Sequence, residues 1–322
     1  MPSEAGQPAQ GPRAWRFALR IAAGAALLTL VVWYADPPAL WAKLSRANPW
    51  LVGLALAVSV VANLMCAMRW AVIARGLGLI APSARLVLMY ARGITTNMLL
   101  PGATLSGDLL RSVQLSRLGN PFVRSALSVF LDRLSGLWVL CVLSLLAAAG
   151  LVLWGAVGQG GERVAPREMS VYLSILAALA IAPFIPLPFG KLERSSIAWV
   201  ATLASRWERL RERLRQARPA LVASAWRSLG VQLLSACTLW ICGMAVGVSL
   251  SYPVMLAAAA PIFIMAALPI GVAGFGTREL AAVIVLGLAG VPGDQATATA
   301  LLYGLAAVIQ GIVAAPLFFA EP

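Results

Sequence analysis

Long, unbroken apolar runs dominate this chain: about eight occur in 322 residues, most near the roughly 20 residues with which a helix crosses about 30 Å of hydrocarbon. They are continuous, not alternating, which points to helices and not to barrel strands. With 61% hydrophobic and 11% charged residues, a soluble fold could not cover so much apolar surface. The expected fold is an all-α integral membrane protein, a helical bundle of about six spanning helices plus two broken re-entrant hairpins. A tail at residues 1–16 precedes a single polytopic transmembrane domain at 17–322.

Histidine is absent, which excludes the usual serine and cysteine triads and most catalytic zinc sites. Cys66, Cys141, Cys237 and Cys242 all lie inside apolar runs, where they read as small packing residues. No P-loop and no Rossmann glycine pattern occurs, and no cofactor is expected, so any transport is downhill, ion-coupled or driven by a partner.

A net charge of +13 invites a nucleic-acid reading, but the placement of the charges argues against it. Arg13, Arg16 and Arg20 precede the first run at 17–34, read as a retained anchor with its N-terminus in the cytoplasm. The next connection carries Asp36, Lys43 and Arg46, and a span at 50–68 returns to Arg69, Arg75, Arg85 and Arg92. That alternation obeys the positive-inside rule of a bacterial-type inner membrane. Further spans are expected at 125–154, 171–188 and 225–250, with the glycine-rich loop 155–161 outside. Residues 191–218 form the main cytoplasmic segment, its arginines opposite Trp199, Leu203, Trp207, Leu210 and Leu214. This is the pattern of a basic amphipathic helix on an anionic leaflet, or of a solvated basic loop. Trp33, Tyr34, Trp41, Trp50, Trp70 and Trp154 fall near expected span ends and read as interface anchors.

Two segments break the pattern. The first runs from Asn97 through Pro101, Gly102, Gly107 and Asp108 to Arg111; the second runs from Leu268 through Pro269, Gly271, Gly276 and Arg278 to Glu279. In each, Leu-Pro precedes a glycine, a second glycine follows five positions later, and an acid and an arginine come soon after. Proline removes a backbone donor and glycine admits positive φ, so each segment should interrupt a helix and start a half-helix. The flanks, 84–100 with 107–118 and 254–268 with 277–290, are too short to span alone and read as hairpins dipping into the membrane. Counting crossings, the first hairpin enters from the cytoplasm and the second from outside. Span, hairpin, span then recurs upside down at 50–154 and 225–319, the mark of an inverted-repeat transporter; two unrelated helix breaks are the alternative.

In order and spacing these segments resemble the transmembrane region of bacterial lysylphosphatidylglycerol synthases and the wider group of flippase-like proteins related to it. The resemblance rests on residues 97–111 with Leu-Leu-Pro-Gly and Gly-Asp-x-x-Arg, on 128–136 reading SVFLDRLSG, and on 268–279. It covers nearly the whole chain and implies a region that moves or holds a lipid across the bilayer. No stretch outside the spans is long enough for the aminoacyl-transferase domain of the full synthases, so lipid lysylation by this chain alone is not expected.

Each charge at depth costs on the order of 3 kcal/mol or more, so partners are required. Asp108 and Arg111, at i and i+3, can pair on one half-helix, whereas Asp132 and Arg133 are about 100° apart and must look to different partners. Arg133 either joins the same site or pairs with Asp108. Thr277 suits an N-cap, and Glu279 suits the positive end of the second half-helix. Arg111 and Arg278, beside exposed backbone N–H groups, are natural receptors for a lipid phosphate. Asn97, Gly102, Gly107, Gly271 and Gly276 complete the candidate substrate site, with Asp108, Asp132 and Glu279 either in it or cross-linking the bundle.

The leading reading is translocation of an anionic phospholipid or lipid-linked intermediate. The rivals are a membrane-embedded glycosyl or phosphoryl transferase using Asp108 or Asp132 as base or metal ligand, and a non-transporting partner of a lipid-modifying enzyme. Both termini should face the cytoplasm. Reporter fusions at residue 322 and in loop 155–161 should report opposite sides; a periplasmic C-terminus would overturn the topology and the inverted repeat with it.

Overall fold

The structure, a computed structural model, describes residues 37–99, 105–153, 166–182, 214–268 and 274–319, with residues 26, 29, 30, 33, 211 and 212. The tail 1–16, most of the run 17–34, the loop 155–161, most of the basic segment 191–218, and Gly102 and Gly271 in the two breaks lie outside the described residues.

Every regular element among the described residues is helical. They are α1 (Pro37–Ser45), α2 (Pro49–Gly76), α3 (Ser83–Leu99), α4 (Leu105–Ser116), α5 (Phe122–Leu153) and α6 (Pro166–Ile181). After these come α7 (Arg218–Ala245), α8 (Tyr252–Ala267), α9 (Thr277–Gly287), α10 (Gly293–Ala314) and a 3-10 turn (Ala315–Phe318). Helices α2, α5 and α7, and α10 with its 3-10 extension, are long and apolar enough to cross a membrane, while α6 and α8 are shorter apolar helices. The chain is an all-α membrane protein. Exposed Leu54, Val61, Leu64, Phe130, Leu146 and Ile312 give the long helices their lipid-facing surfaces.

Three spans differ in their bounds from expectation, α6 beginning at Pro166, five residues before 171. Helix α2 continues past Met68 to Gly76, because Trp70, Ala71, Val72, Ile73 and Ala74 extend the apolar face beyond Arg69. Helix α7 begins at Arg218 and stops at Ala245, five residues before the expected end. There Gly247 takes φ 88°, and the Val248 N–H closes the turn on the Gly243 carbonyl at 2.9 Å.

The helices fall into two matching series. Helix α2, the pair α3–α4 and α5 repeat as α7, the pair α8–α9 and α10, joined by linkers of the same length: 77–82 with 246–251, and 117–121 with 288–292. The turns match as well. Gly78 at φ 72° answers Gly247, and the Leu79 N–H bonds the Ala74 carbonyl at 3.0 Å, as Val248 bonds Gly243. Gly119 and Gly290 sit third in their linkers with φ 89° and 77°, each two residues before a proline.

Packing is preserved when the two series are exchanged: α3 rests on α10 as α8 rests on α5, α4 on α5 as α9 on α10, and α7 on α5 as α2 on α10. Helices α2 and α7 pack along their lengths and run antiparallel. The Asn48 N–H bonds the Ala245 carbonyl at 3.0 Å where α2 starts, and Gly76 at its far end abuts Ala220 near the start of α7.

Small residues make this closeness possible, as expected where lipid supplies no hydrophobic drive between helices. The core around α7–α10 is rich in alanine, including Ala258, Ala281, Ala282, Ala296, Ala298 and Ala300. Pro261 inside α8 has no N–H for the carbonyl of Ala257, and the Tyr172 hydroxyl from α6 donates to that carbonyl instead. In the first hairpin a Cβ on Gly107 would run into the Gly93 carbonyl oxygen and lie 2.6 Å from Asn97 Oδ1. Gly107→Ala should therefore cost about 1–3 kcal/mol of overpacking, since a backbone oxygen cannot swing away. Gly53→Ala, where nothing lies within 4 Å, should be neutral, and detergent-unfolding midpoints of the two variants test the difference.

Candidate functional site

The first half-helix, α4, carries its charges into a chain of alternating sign. Asp132 Oδ1 accepts from Arg69 Nε at 2.8 Å, and Oδ2 accepts from Arg111 Nη2 at 3.0 Å. Asp108 accepts from Arg111 Nη1 at 3.3 Å and from Arg133 Nε and Nη2 at 2.8 and 3.0 Å. The order is Arg69, Asp132, Arg111, Asp108, Arg133, with one guanidinium in excess. Helix geometry dictates it: Asp108 and Arg111 share a face of α4, while consecutive Asp132 and Arg133 on α5 point to different partners, Asp132 to the buried arginines and Arg133 to Asp108.

Room for the guanidiniums comes from glycines. Gly136 follows Asp132 by four residues on the same face of α5, and a Cβ there would lie 2.6 Å from Arg69 Nη1. Gly93 on α3 faces Arg111, where a Cβ would come within 3.2 Å of its Cδ. The Arg111 guanidinium carbon lies 4.2 Å from the Trp70 ring centroid and 4.6 Å from that of Tyr90, in cation–π contact with both. The Trp70 N–H donates to Ser128 Oγ at 3.1 Å, which fixes the ring. Arg111 Nε is buried without a hydrogen-bond partner.

Exposure divides the chain. Arg69, Asp132 and Arg111 are buried, the Asp108 side chain is 15% exposed and that of Arg133 is 41% exposed. Arg133 is thus where an outside group can reach the network. Asn97 Oδ1 accepts from the Gly107 N–H at 2.7 Å and from the Ser106 hydroxyl at 3.3 Å, which holds the start of α4 against α3.

The second hairpin is built differently. Arg278 donates through Nε and Nη2 to Glu279 Oε1 at 3.1 and 2.8 Å, and the Gly276 N–H donates to Glu279 Oε2 at 2.6 Å. Both side chains are buried, so this is a closed, neutral pair that caps α9. The cap position belongs to Gly276 at φ 90°, not to Thr277, which lies inside the helix and donates its hydroxyl to the Gly274 carbonyl at 3.3 Å. Only glycine holds that φ cheaply, and Glu279 at the third helical position supplies the half of a capping box that satisfies the N–H of the cap residue itself. The Arg278 guanidinium lies over Phe275 and Tyr303, at 4.8 and 5.9 Å, on ground left open by Gly304. Among the described residues α5 and α10 each touch a helix of both hairpins.

Two residues of the site escaped the sequence. Arg69 and Trp70 were expected at a span end, Trp70 as an interface anchor, yet both are buried, Arg69 at the closed end of the ion chain and Trp70 against the Arg111 guanidinium, because α2 does not end at Met68. Outside the ion chain, Arg92, which the sequence grouped with the basic residues after the second span and within the hairpin flank 84–100, is buried on α3 with its Nε donating to the Leu317 carbonyl at 2.9 Å. The signal for Arg69 was available: five apolar or small residues follow it before Arg75. No group of three or more metal-ligating side chains occurs among the described residues.

Asp132 is the keystone of this arrangement, since its removal strands two buried guanidiniums. Asp132→Asn should cost about 3–5 kcal/mol, the range for breaking a buried ion pair from one side. Glu212→Gln, whose 3.8 Å contact to Arg215 is exposed, should cost less than about 1 kcal/mol. Unfolding of the purified variants in detergent measures both.

No curated protein matches this chain. The family described as the lysylphosphatidylglycerol synthase TM region matches residues 18–315, nearly the whole length and both hairpins. With the all-helical bundle and its paired hairpins, that match places the chain in the lysylphosphatidylglycerol synthase transmembrane-region family, membrane proteins related to lipid modification.

Proposed function

We propose that this protein translocates an anionic phospholipid or lipid-linked intermediate across the inner membrane, with the lipid phosphate received at the Arg133 end of the ion chain. The observation that carries this reading is the excess guanidinium: the network is short of one negative charge, and Arg133 at its end is the partly exposed arginine. A phosphate meeting Arg133 supplies that charge through two parallel N–H···O bonds. Arg111, pinned between Trp70 and Tyr90, holds positive charge behind it without reorganising. In the second hairpin Arg278 is matched by Glu279 and serves as wall and cap.

The matching series supports an inverted repeat, because antiparallel α2 and α7 head segments with the same turns. Inverted repeats are the architecture of alternating access about a central site. The charged ends support both termini in the cytoplasm. Asn120 Oδ1 accepts from the Ile80 N–H at 2.8 Å and its Nδ2 donates to the Ile80 carbonyl at 2.9 Å, tying the two linkers of the first series at the end where Gly76 abuts Ala220. Arg75, Arg85, Arg117, Arg124, Arg215 and Arg218 gather at that end, as the positive-inside rule requires of a cytoplasmic face. A transferase reading is weakened because the oxygens of Asp108 and Asp132 already accept from guanidiniums, so neither carboxylate is free to act as base or metal ligand.

Arg133→Gln should lower lipid movement in proteoliposomes at least about tenfold, the loss of a charge-assisted bond of roughly 1.5–3 kcal/mol, while the protein stays folded. Arg215→Gln, exposed and screened, should change it little. In the double variant Asp108→Asn with Arg133→Gln, recovered transport would reduce Arg133 to a structural cross-link and overturn the assignment. Wild-type protein that moves no lipid in a fluorescent-lipid panel would favour the non-transporting partner of a lipid-modifying enzyme.

A further inference from the structure

A cavity of about 290 Å³ opens at the arginine-rich end of the bundle, outside the ion chain. Gly76, Leu77 and Gly78 at the end of α2, Arg124 and Leu127 in the first turns of α5, and Gln216 just before α7 line it. Among the described residues Arg124 has no hydrogen-bond or ion-pair partner. The buried arginines differ: Arg69, Arg92, Arg111 and Arg278 are each engaged. Gln216 brings an amide to the same cavity; its Nε2 donates to Glu212 Oε1 at 3.2 Å, which leaves its second amide hydrogen for a ligand, and open space lies on the side-chain side of Gly78.

Leu127 joins this cavity to the membrane surface. Val123, Leu127, Phe130, Leu134 and Leu137 recur at intervals of three and four residues and so lie along one face of α5. Val123, Phe130, Leu134 and Leu137 are exposed large hydrophobics. A cationic, hydrogen-bonding cavity at the top of an uncovered apolar stripe matches a molecule with an anionic head and hydrocarbon tails.

We propose that this cavity is a second lipid site, binding the phosphate of an anionic glycerophospholipid at Arg124 and Gln216 with an acyl chain along the stripe from Leu127 to Leu137. It is separate from the site at Arg133. The two arginines are nine residues apart on α5, hence about 13.5 Å along the axis and roughly 180° around it. Charge complementarity selects the headgroup: an anionic phosphodiester satisfies Arg124, whereas a zwitterionic headgroup brings its own cation against an end already crowded with arginines. A free phosphate shares the headgroup chemistry but has nothing to lay on the stripe.

The full-length protein in detergent, incubated with phosphatidylglycerol bearing a photoactivatable diazirine in mid-chain, tests this by mapping the cross-linked peptides. Adducts are expected within residues 127–137, suppressed by excess unlabelled phosphatidylglycerol but not by phosphatidylcholine or inorganic phosphate. Arg124→Gln should cut the adduct yield by about fivefold, the effect of one lipid-facing cation. Arg133 borders the lower part of the stripe, so Arg133→Gln separates the two sites: adducts lost in Arg133→Gln but kept in Arg124→Gln belong to the transport site and overturn this one, whereas adducts lost in Arg124→Gln and retained in Arg133→Gln establish it independently of the transport reading. Leu127→Trp, which fills the cavity without touching a charge, should also lower the yield and decides the matter if Arg124→Gln is not monodisperse. No adduct on the stripe, equal competition by phosphatidylcholine, or an undiminished yield in folded Arg124→Gln overturns the site.

Discussion

Everything around the first hairpin depends on the cost of an unmatched charge out of water. Asp132 cannot sit on a spanning helix unless cations meet both of its oxygens, and Arg69 and Arg111 do so from α2 and α4. One carboxylate thereby fixes the relative height of three helices. Breaking such a set from one side costs about 3–5 kcal/mol, whereas a well-packed apolar replacement of the whole set can be neutral. Stability alone is therefore a weak reason to keep five charged groups there, and a requirement for positive charge at depth is a stronger one.

Glycine decides where those charges can stand. Without side chains at Gly93, Gly107 and Gly136, α3 and α4 approach closely and the guanidiniums of Arg69 and Arg111 lie against helix surface. Gly304 does the same for Arg278 on α10. Arg69, Arg111 and Arg278 thus each occupy a socket made by a neighbouring helix, and aromatic rings close two of them from another side, Trp70 and Tyr90 over Arg111 and Phe275 and Tyr303 over Arg278. These sockets are matched to a planar cation, and a lysine would keep the charge but lose the ring contacts and the fork of donors.

Much of this was legible in the sequence, and the failures have physical causes. Continuous apolar runs announce helices in a membrane, and the Pro–Gly breaks announce the two hairpins, because both follow from local backbone chemistry. The opposed partners of Asp132 and Arg133 follow from 100° per residue. Arg69 was misjudged because a charge was taken as the end of a span. A helix continues through an arginine when another helix brings a carboxylate to meet it, and that carboxylate lies 63 residues away in the sequence. Thr277 was misjudged for a related reason: as an isolated signal it is a good cap, but Gly276 at φ 90° and the reach of Glu279 displace it by one position. Long-range pairing, absent from any local window, accounts for the first error, and a three-residue contact between Gly276 and Glu279 accounts for the second.

The two series of helices match in length, turn and packing, yet their charges do not match. Asp108 and Glu279 stand in comparable places, three or four residues into their half-helices, and each meets an arginine of its own half-helix. Beyond that the series part: the first adds Arg69, Asp132 and Arg133, while the second ends with a closed neutral pair. Backbone symmetry allows two equivalent arrangements of the bundle to have similar packing energy. A strictly symmetric distribution of charge would make an anion equally at home on either hairpin. Concentrating the excess cation around one hairpin removes that degeneracy. In the proposed translocation an anionic headgroup would meet a strong partner on one side of the pseudo-symmetric centre and a neutral wall on the other, so the unequal placement of arginine and carboxylate would supply the binding step that symmetric packing alone would not.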